Sequence, residues 1–128
     1  HALTDTPGSS HYIDRAFVTY SNQAKHELIG VSNETLQNFG AVSEQTVLEM
    51  ASGAAKAAKA DIAIAISGIA GPGGATRVKP VGLVWFCVHF AGKNYPSKHV
   101  FTGDRASVRA QAIVYSIEKV IEIIKSEN

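Results

Sequence analysis

From Ile62 to Ile66 both alternating sets of positions are apolar, and the run empties through Ser67 into Gly68-Ile69-Ala70-Gly71-Pro72-Gly73-Gly74. Successive side chains in a strand point to opposite faces, so this pattern predicts an internal strand covered by helices on both sides. Elsewhere the spacing is helical. Val47, Met50, Ala51, Ala54, Ala55 and Ala58 behind a Ser43 N-cap predict a helix over residues 44–59, with alanines that let it lie close to a sheet. Ile113, Ile117, Val120, Ile121 and Ile124 predict a long helix over residues 105–125. Shorter helices are expected at Asn22–Ile29 and Asn33–Phe39, with strands at 16–20, 82–90 and 98–101. A turn over 92–96 would join the last two strands as a hairpin. The expected architecture is α/β: a single three-layer domain with a mixed β-sheet flanked by helices.

Composition narrows the picture. The chain has 128 residues, 45% of them hydrophobic and 18% charged, with a formal net charge of +1, which fits one domain over residues 1–128. At this length about two-thirds of the unfolded surface can be buried, enough for a core without metals or disulfides. The 12 basic residues are scattered rather than striped, which argues against nucleic acid as partner. Apolar runs fall short of the roughly 18 residues needed to span a bilayer, so no membrane association is expected. Cys87, the only cysteine, stands in the apolar run Leu83-Val84-Trp85-Phe86-Cys87-Val88 and reads as a small core residue, compatible with a reducing cytoplasm. The five histidines show no metal-ligand spacing, and no metal or cofactor is expected. His1-Ala2-Leu3-Thr4-Asp5 reads as the last turns of a helix ending before Pro7-Gly8, and the chain is expected to be a fragment or processed product, truncated at its N-terminal side.

Three clusters carry candidate chemistry. The glycine loop lies where α/β sheets hold ligands, and a loop without side chains lets backbone N–H groups approach a phosphate or oxyanion. Its spacing matches neither GxxxxGK[ST] nor GxGxxG, and a tight connection between strands accounts for the glycines equally well. In Phe17-Val18-Thr19-Tyr20-Ser21-Asn22-Gln23-Ala24-Lys25 a strand becomes a helix, and Lys25 falls in the first turn, against the helix dipole. A buried lysine there would have its pKa lowered, as a general base requires, since an unperturbed lysine is neutral in only about one molecule in 2,500 at pH 7. A solvated surface lysine is the competing reading. At the start of the long helix Asp104 is a good N-cap, and Arg105 and Arg109, one turn apart, could bind a phosphate or carboxylate, or else a structural acid such as Asp61 or Glu118.

The ordered segments FVTYSNQAK, GAVSEQTVLEMA, SGIAGPGG, KPVG and FTGDRASVR resemble the C-terminal domain of the competence/damage-inducible CinA family over essentially the whole chain. The resemblance implies a nicotinamide-nucleotide amidohydrolase, a bacterial enzyme of pyridine-nucleotide salvage that converts nicotinamide mononucleotide to nicotinate mononucleotide and ammonia without a cofactor. The family pattern also includes a serine-bearing segment, ESCTGG, which residues 1–128 do not contain. By resemblance that serine is the nucleophile and Lys25 its base. Tyr20 and Asn22, in the same motif, orient the lysine or the amide. Gly68, Ala70, Gly71, Gly73 and Gly74 contact the nucleotide through their N–H groups. Arg105 contacts substrate or packs at a subunit boundary, and homo-oligomerisation stays open. Ser67 and Ser10 are expected to be structural. The reading from a different class is a noncatalytic nucleotide-binding or assembly module linked to competence or the DNA damage response.

Overall fold

The structure, a computed structural model, describes residues 1–127. Two short 3-10 turns, Ala2–Thr4 and Ser9–His11, precede three helices, α1 (Asn22–Ile29), α2 (Asn33–Phe39) and α3 (Glu44–Ala58). Strands β1 (Ile62–Gly68), β2 (Leu83–Phe90) and β3 (Lys93–Val100) follow, and α4 (Arg105–Glu127) closes the chain. Each helix starts on a side-chain cap. Ser21, Ser32 and Ser43 accept from the N–H groups of Ala24, Thr35 and Thr46 at 3.0, 3.0 and 3.2 Å, and Asp104 accepts from Ser107 at 2.9 Å. A capped N–H no longer seeks water, which is worth about 1 kcal/mol per helix.

The α/β class and the three layers stand. Helix α3 covers one face of the sheet, touching all three strands, and α4 lies against β1 and β2 on the other. Ala65 and Cys87 pair across β1 and β2 and join Ile29, Val31, Leu36, Val47, Met50 and Ala51 in the core under α3. Val84 and Phe86 point the other way and meet Phe101, Val108 and Ala112 under α4. Burial pushes the Cys87 thiol up to about 11, with a Tyr95 backbone hydrogen bond opposing and the Glu44 charge reinforcing the rise, so it is a neutral core group at pH 7.

Five expectations are corrected. The sheet, in the order β1-β2-β3, is antiparallel at both pairings rather than mixed. Residues 16–20 form no strand: the run suits an extended backbone but pairs with no ladder among the described residues, and Val18 is 85% exposed. Strand β1 is therefore at an edge rather than internal, with Ile66 41% exposed. The hairpin turn is tighter than 92–96. Ala91 and Gly92 both take positive φ, as a two-residue hairpin turn requires, and β3 runs from Lys93 through Pro96. Proline is tolerated there because β3 is the other edge, where its missing N–H breaks no inner ladder. Finally, α4 forms as its spacing predicts, but the sheet receives Val108, Ala112, Ser116 and Ile123, leaving Ile113 and Ile121 exposed.

Candidate active site

Chain entry into α1 fixes Lys25. Ser21 caps the helix, Lys25 follows in its first turn, and the side chain folds back so that Nζ donates to the Thr19 carbonyl at 2.7 Å. Lys25 is only 6% exposed, and no acidic group pairs with it among the described residues. Desolvation lowers its pKa from the usual 10.5. An ammonium with three donors and a single carbonyl acceptor is poorly compensated, which shifts the balance toward the neutral amine relative to a solvated lysine. Tyr20 and Asn22 flank the cap, both exposed, and neither hydrogen-bonds to Lys25 among the described residues.

The depth of Lys25 depends on where α1 sits. Gly53 of α3 lets the helices approach so closely that a Cβ there would stand 1.7 Å from the Ile29 carbonyl oxygen. Beyond α1, the Val31 N–H donates to the Lys25 carbonyl at 3.1 Å. His26 Nδ1 lies 2.8 Å from the Val31 carbonyl and so carries the proton, and the Ser32 N–H donates to Glu49 Oε1 of α3 at 2.9 Å. Sequence reasoning missed Gly53, His26 and Glu49. The HELIG and LEMASG segments show the residues but not that they meet.

The second group is the loop after β1. The Ile69 N–H donates to Leu83 and the Gly82 N–H to Ile69, at 2.9 and 2.7 Å, which closes the base. Beyond that base, the N–H groups of Ala70, Gly71, Gly73 and Gly74 meet no protein acceptor among the described residues. Gly71 is buried at φ 85°, and a Cβ there would lie 2.6 Å from Val81 Cγ1, so only glycine fits. Its carbonyl accepts from Arg105 Nη1 at 3.0 Å. That bond brings the start of α4 to the loop and answers one open question, since the Arg105 partner is a backbone carbonyl rather than Asp61 or Glu118. Arg109 forms no ion pair among the described residues.

Arg105 and the glycine loop are thus brought together, and Tyr20, Asn22 and Lys25 form a separate group with no hydrogen bond to the loop among the described residues. Unpaired N–H groups beside a guanidinium suit a phosphate or an oxyanion, and a desolvated amine suits proton abstraction. Ser67 fits no nucleophilic role: it is 9% exposed and its hydroxyl donates to the Ala41 carbonyl at 2.7 Å. Two clefts lie elsewhere. One runs between α1 and α3 past Leu28, Ser52 and Lys56, and a polar one between α1 and α2 includes Asn22, His26 and Gln37. Neither contains Lys25 or the loop, and neither presents an unpaired buried donor, so chemistry rather than concavity marks the site. No cluster of His, Cys, Asp or Glu among the described residues could hold a metal ion, and no described helix is long and apolar enough to cross a membrane.

A family model of the CinA C-terminal domain matches residues 1–124. The nicotinamide-nucleotide amidohydrolase PncC of Enterobacter agglomerans is 56% identical over 129 residues, covering 98% of this chain and 77% of that protein. PncC of Escherichia coli K12 is 54% identical, covering 91% and 71%. Among solved structures, the competence damage-inducible protein A of Klebsiella pneumoniae superposes with a TM-score of 0.93 at 40% identity, covering 97% of this chain and 77% of that one. Matched over almost its whole length and more than half identical to such relatives, the chain belongs to the family of the CinA C-terminal domain.

Proposed function

We propose that this domain hydrolyses the carboxamide of nicotinamide mononucleotide, giving nicotinate mononucleotide and ammonia. One observation carries the reading: Lys25 is a buried lysine without a counter-ion among the described residues, held by a single carbonyl. Burial that costs stability and lowers a pKa toward neutrality is a feature of catalytic bases. The PncC relatives are named for this activity.

In the proposed mechanism the neutral Lys25 amine takes the proton of a serine hydroxyl as its oxygen attacks the carboxamide carbon. The tetrahedral oxyanion collapses, the C–N bond breaks, and the departing nitrogen takes the proton from Lys25 and leaves as ammonia. Lys25 then removes a proton from water, whose oxygen attacks the acyl-serine ester, and returns that proton to the serine oxygen. The serine belongs to an ESCTGG-type segment, which lies outside residues 1–128. Gly68, Ala70, Gly71, Gly73 and Gly74 hold the phosphate or the oxyanion through backbone N–H groups, with Arg105 beside them. Tyr20 and Asn22 orient the amide at the mouth of the site. Such chemistry on a small nucleotide needs no cofactor and suits a cytoplasmic enzyme, with oligomerisation left to measurement.

The test is ammonia release from nicotinamide mononucleotide by residues 1–128 beside the same chain preceded by an ESCTGG-type segment. Turnover in the longer chain alone is expected. Turnover by residues 1–128 alone would place the nucleophile among them and overturn the assignment. Binding without turnover in both would support the noncatalytic module.

A further inference from the structure

Three consecutive carbonyl groups in the turn between α2 and α3 are each taken by side chains. The Gly40 carbonyl accepts from Thr46 Oγ1 at 2.6 Å and from Ser43 Oγ at 3.0 Å, both at the start of α3, which makes the turn rigid. The carbonyls on either side reach further. Phe39 O accepts from Lys79 Nζ at 2.6 Å, across 40 residues of chain, and Ala41 O accepts from Ser67 Oγ at 2.7 Å, across 26.

Ser67 and Lys79 bracket the glycine loop, one immediately before Gly68 and the other shortly after Gly74. Lys79 is itself fixed within the loop's return: the Thr76 N–H donates to its carbonyl at 2.8 Å and its own N–H donates to Thr76 Oγ1 at 3.1 Å. Its ammonium also meets the C-terminal end of α2, where the helix dipole favours a cation. Between the two anchors, Arg105 holds only the Gly71 carbonyl.

We propose that the Phe39–Ala41 turn is a clasp that fastens both ends of the glycine loop, making Ser67 and Lys79 positioning residues for nucleotide binding. The inference rests on the function proposed above. Donors fixed before the ligand arrives spend less entropy on binding, so loosening the loop weakens affinity. In this arrangement the loop donors serve the phosphate rather than the oxyanion, and the chemical step is spared because Lys25 stands on α1, with no hydrogen bond to the loop among the described residues.

The experiment compares Ser67→Ala, Lys79→Met and Lys79→Arg with the parent in the form of the chain that releases ammonia. Hydrogen–deuterium exchange of residues 68–78 reads the clasp, and steady-state kinetics with nicotinamide mononucleotide read its effect. Ser67→Ala and Lys79→Met are expected to speed loop exchange and raise KM roughly tenfold, each losing one hydrogen bond, with kcat changed by less than about threefold. Lys79→Arg, which can still donate to Phe39, is expected to restore both. Unchanged loop exchange would overturn the clasp. Faster exchange with KM unchanged, or kcat falling as far as KM rises, would overturn the positioning role. Should no form turn over the nucleotide, the proposed function fails while the exchange measurement still decides the clasp.

Discussion

Lys25 and Gly73 are the two residues whose substitution separates chemistry from folding. Desolvation lowers the Lys25 pKa from 10.5, so over a window below that value the unfolded chain holds a proton that the folded chain has released. Stability therefore rises with pH across the window, and the gain is complete above 10.5. Lys25→Met removes this dependence and is expected to abolish ammonia release. Its thermal unfolding followed from pH 7 to 10 should show the wild type gaining on the variant, whereas parallel curves would mean that the folded chain carries the ammonium without penalty. Gly73 has a φ that other residues adopt, and a Cβ added there would meet nothing within 4 Å, in contrast to Gly71. Gly73→Ala should leave Tm within about 1 °C while weakening nucleotide binding measurably by calorimetry, because an added methyl can meet only the ligand. Unchanged affinity would take Gly73 out of the site. At this scale the sequence offers the candidates but not their surroundings. Whether Lys25 is solvated or buried depends on how closely α1 meets α3, and that is decided by Gly53, far along the chain in a segment that otherwise reads as ordinary helix.

The helices were legible because capping and period are local: Ser43 and Asp104 announce the starts of α3 and α4, and the cap bonds of all four helices span three residues. What depends on a partner was not legible. Residues 16–20 have the composition of a strand but pair with no ladder among the described residues, and the buried face of α4 is not the one its isoleucine spacing marks. Val108 and Ala112 pack with Phe86 and Phe101, Ser116 and Ile123 are buried as well, and Ile113 and Ile121 are turned outward. Likewise the clasp was hidden because its bonds join segments 26 and 40 residues apart. Gly53→Ala tests the closest of these distant contacts. With backbone rather than a flexible side chain in its way, α1 must move, and a loss of at least about 2 kcal/mol by urea denaturation is expected, together with a Lys25 pKa closer to its ordinary value. A stable Gly53→Ala protein with unaltered pH behaviour would show that α1 is not held by this approach.

Across the whole molecule the two cores are of different kinds. The side under α3 is assembled from α1, α2 and α3 around Val31, Val47, Ala51 and Cys87, all essentially without exposure, while the side under α4 rests on an aromatic group of Phe86, Phe101 and Tyr115. Phe86→Ala, which empties the largest fully buried side chain, should cost about 3–5 kcal/mol by urea denaturation, a large share of the roughly 5–15 kcal/mol that holds an ordinary domain folded. The two margins of the sheet differ as well. Along β3, Pro96 withholds an N–H and Lys93 and Lys98 add charge, whereas β1 offers only isoleucine, alanine and serine before its glycine. One border is shut against a further strand and the other is not, so the sheet has a growing side and a finished side. A strand added to this sheet would find an open row of backbone groups alongside Ile62–Gly68, and one of its ends would lie at the loop whose N–H groups meet no acceptor among the described residues.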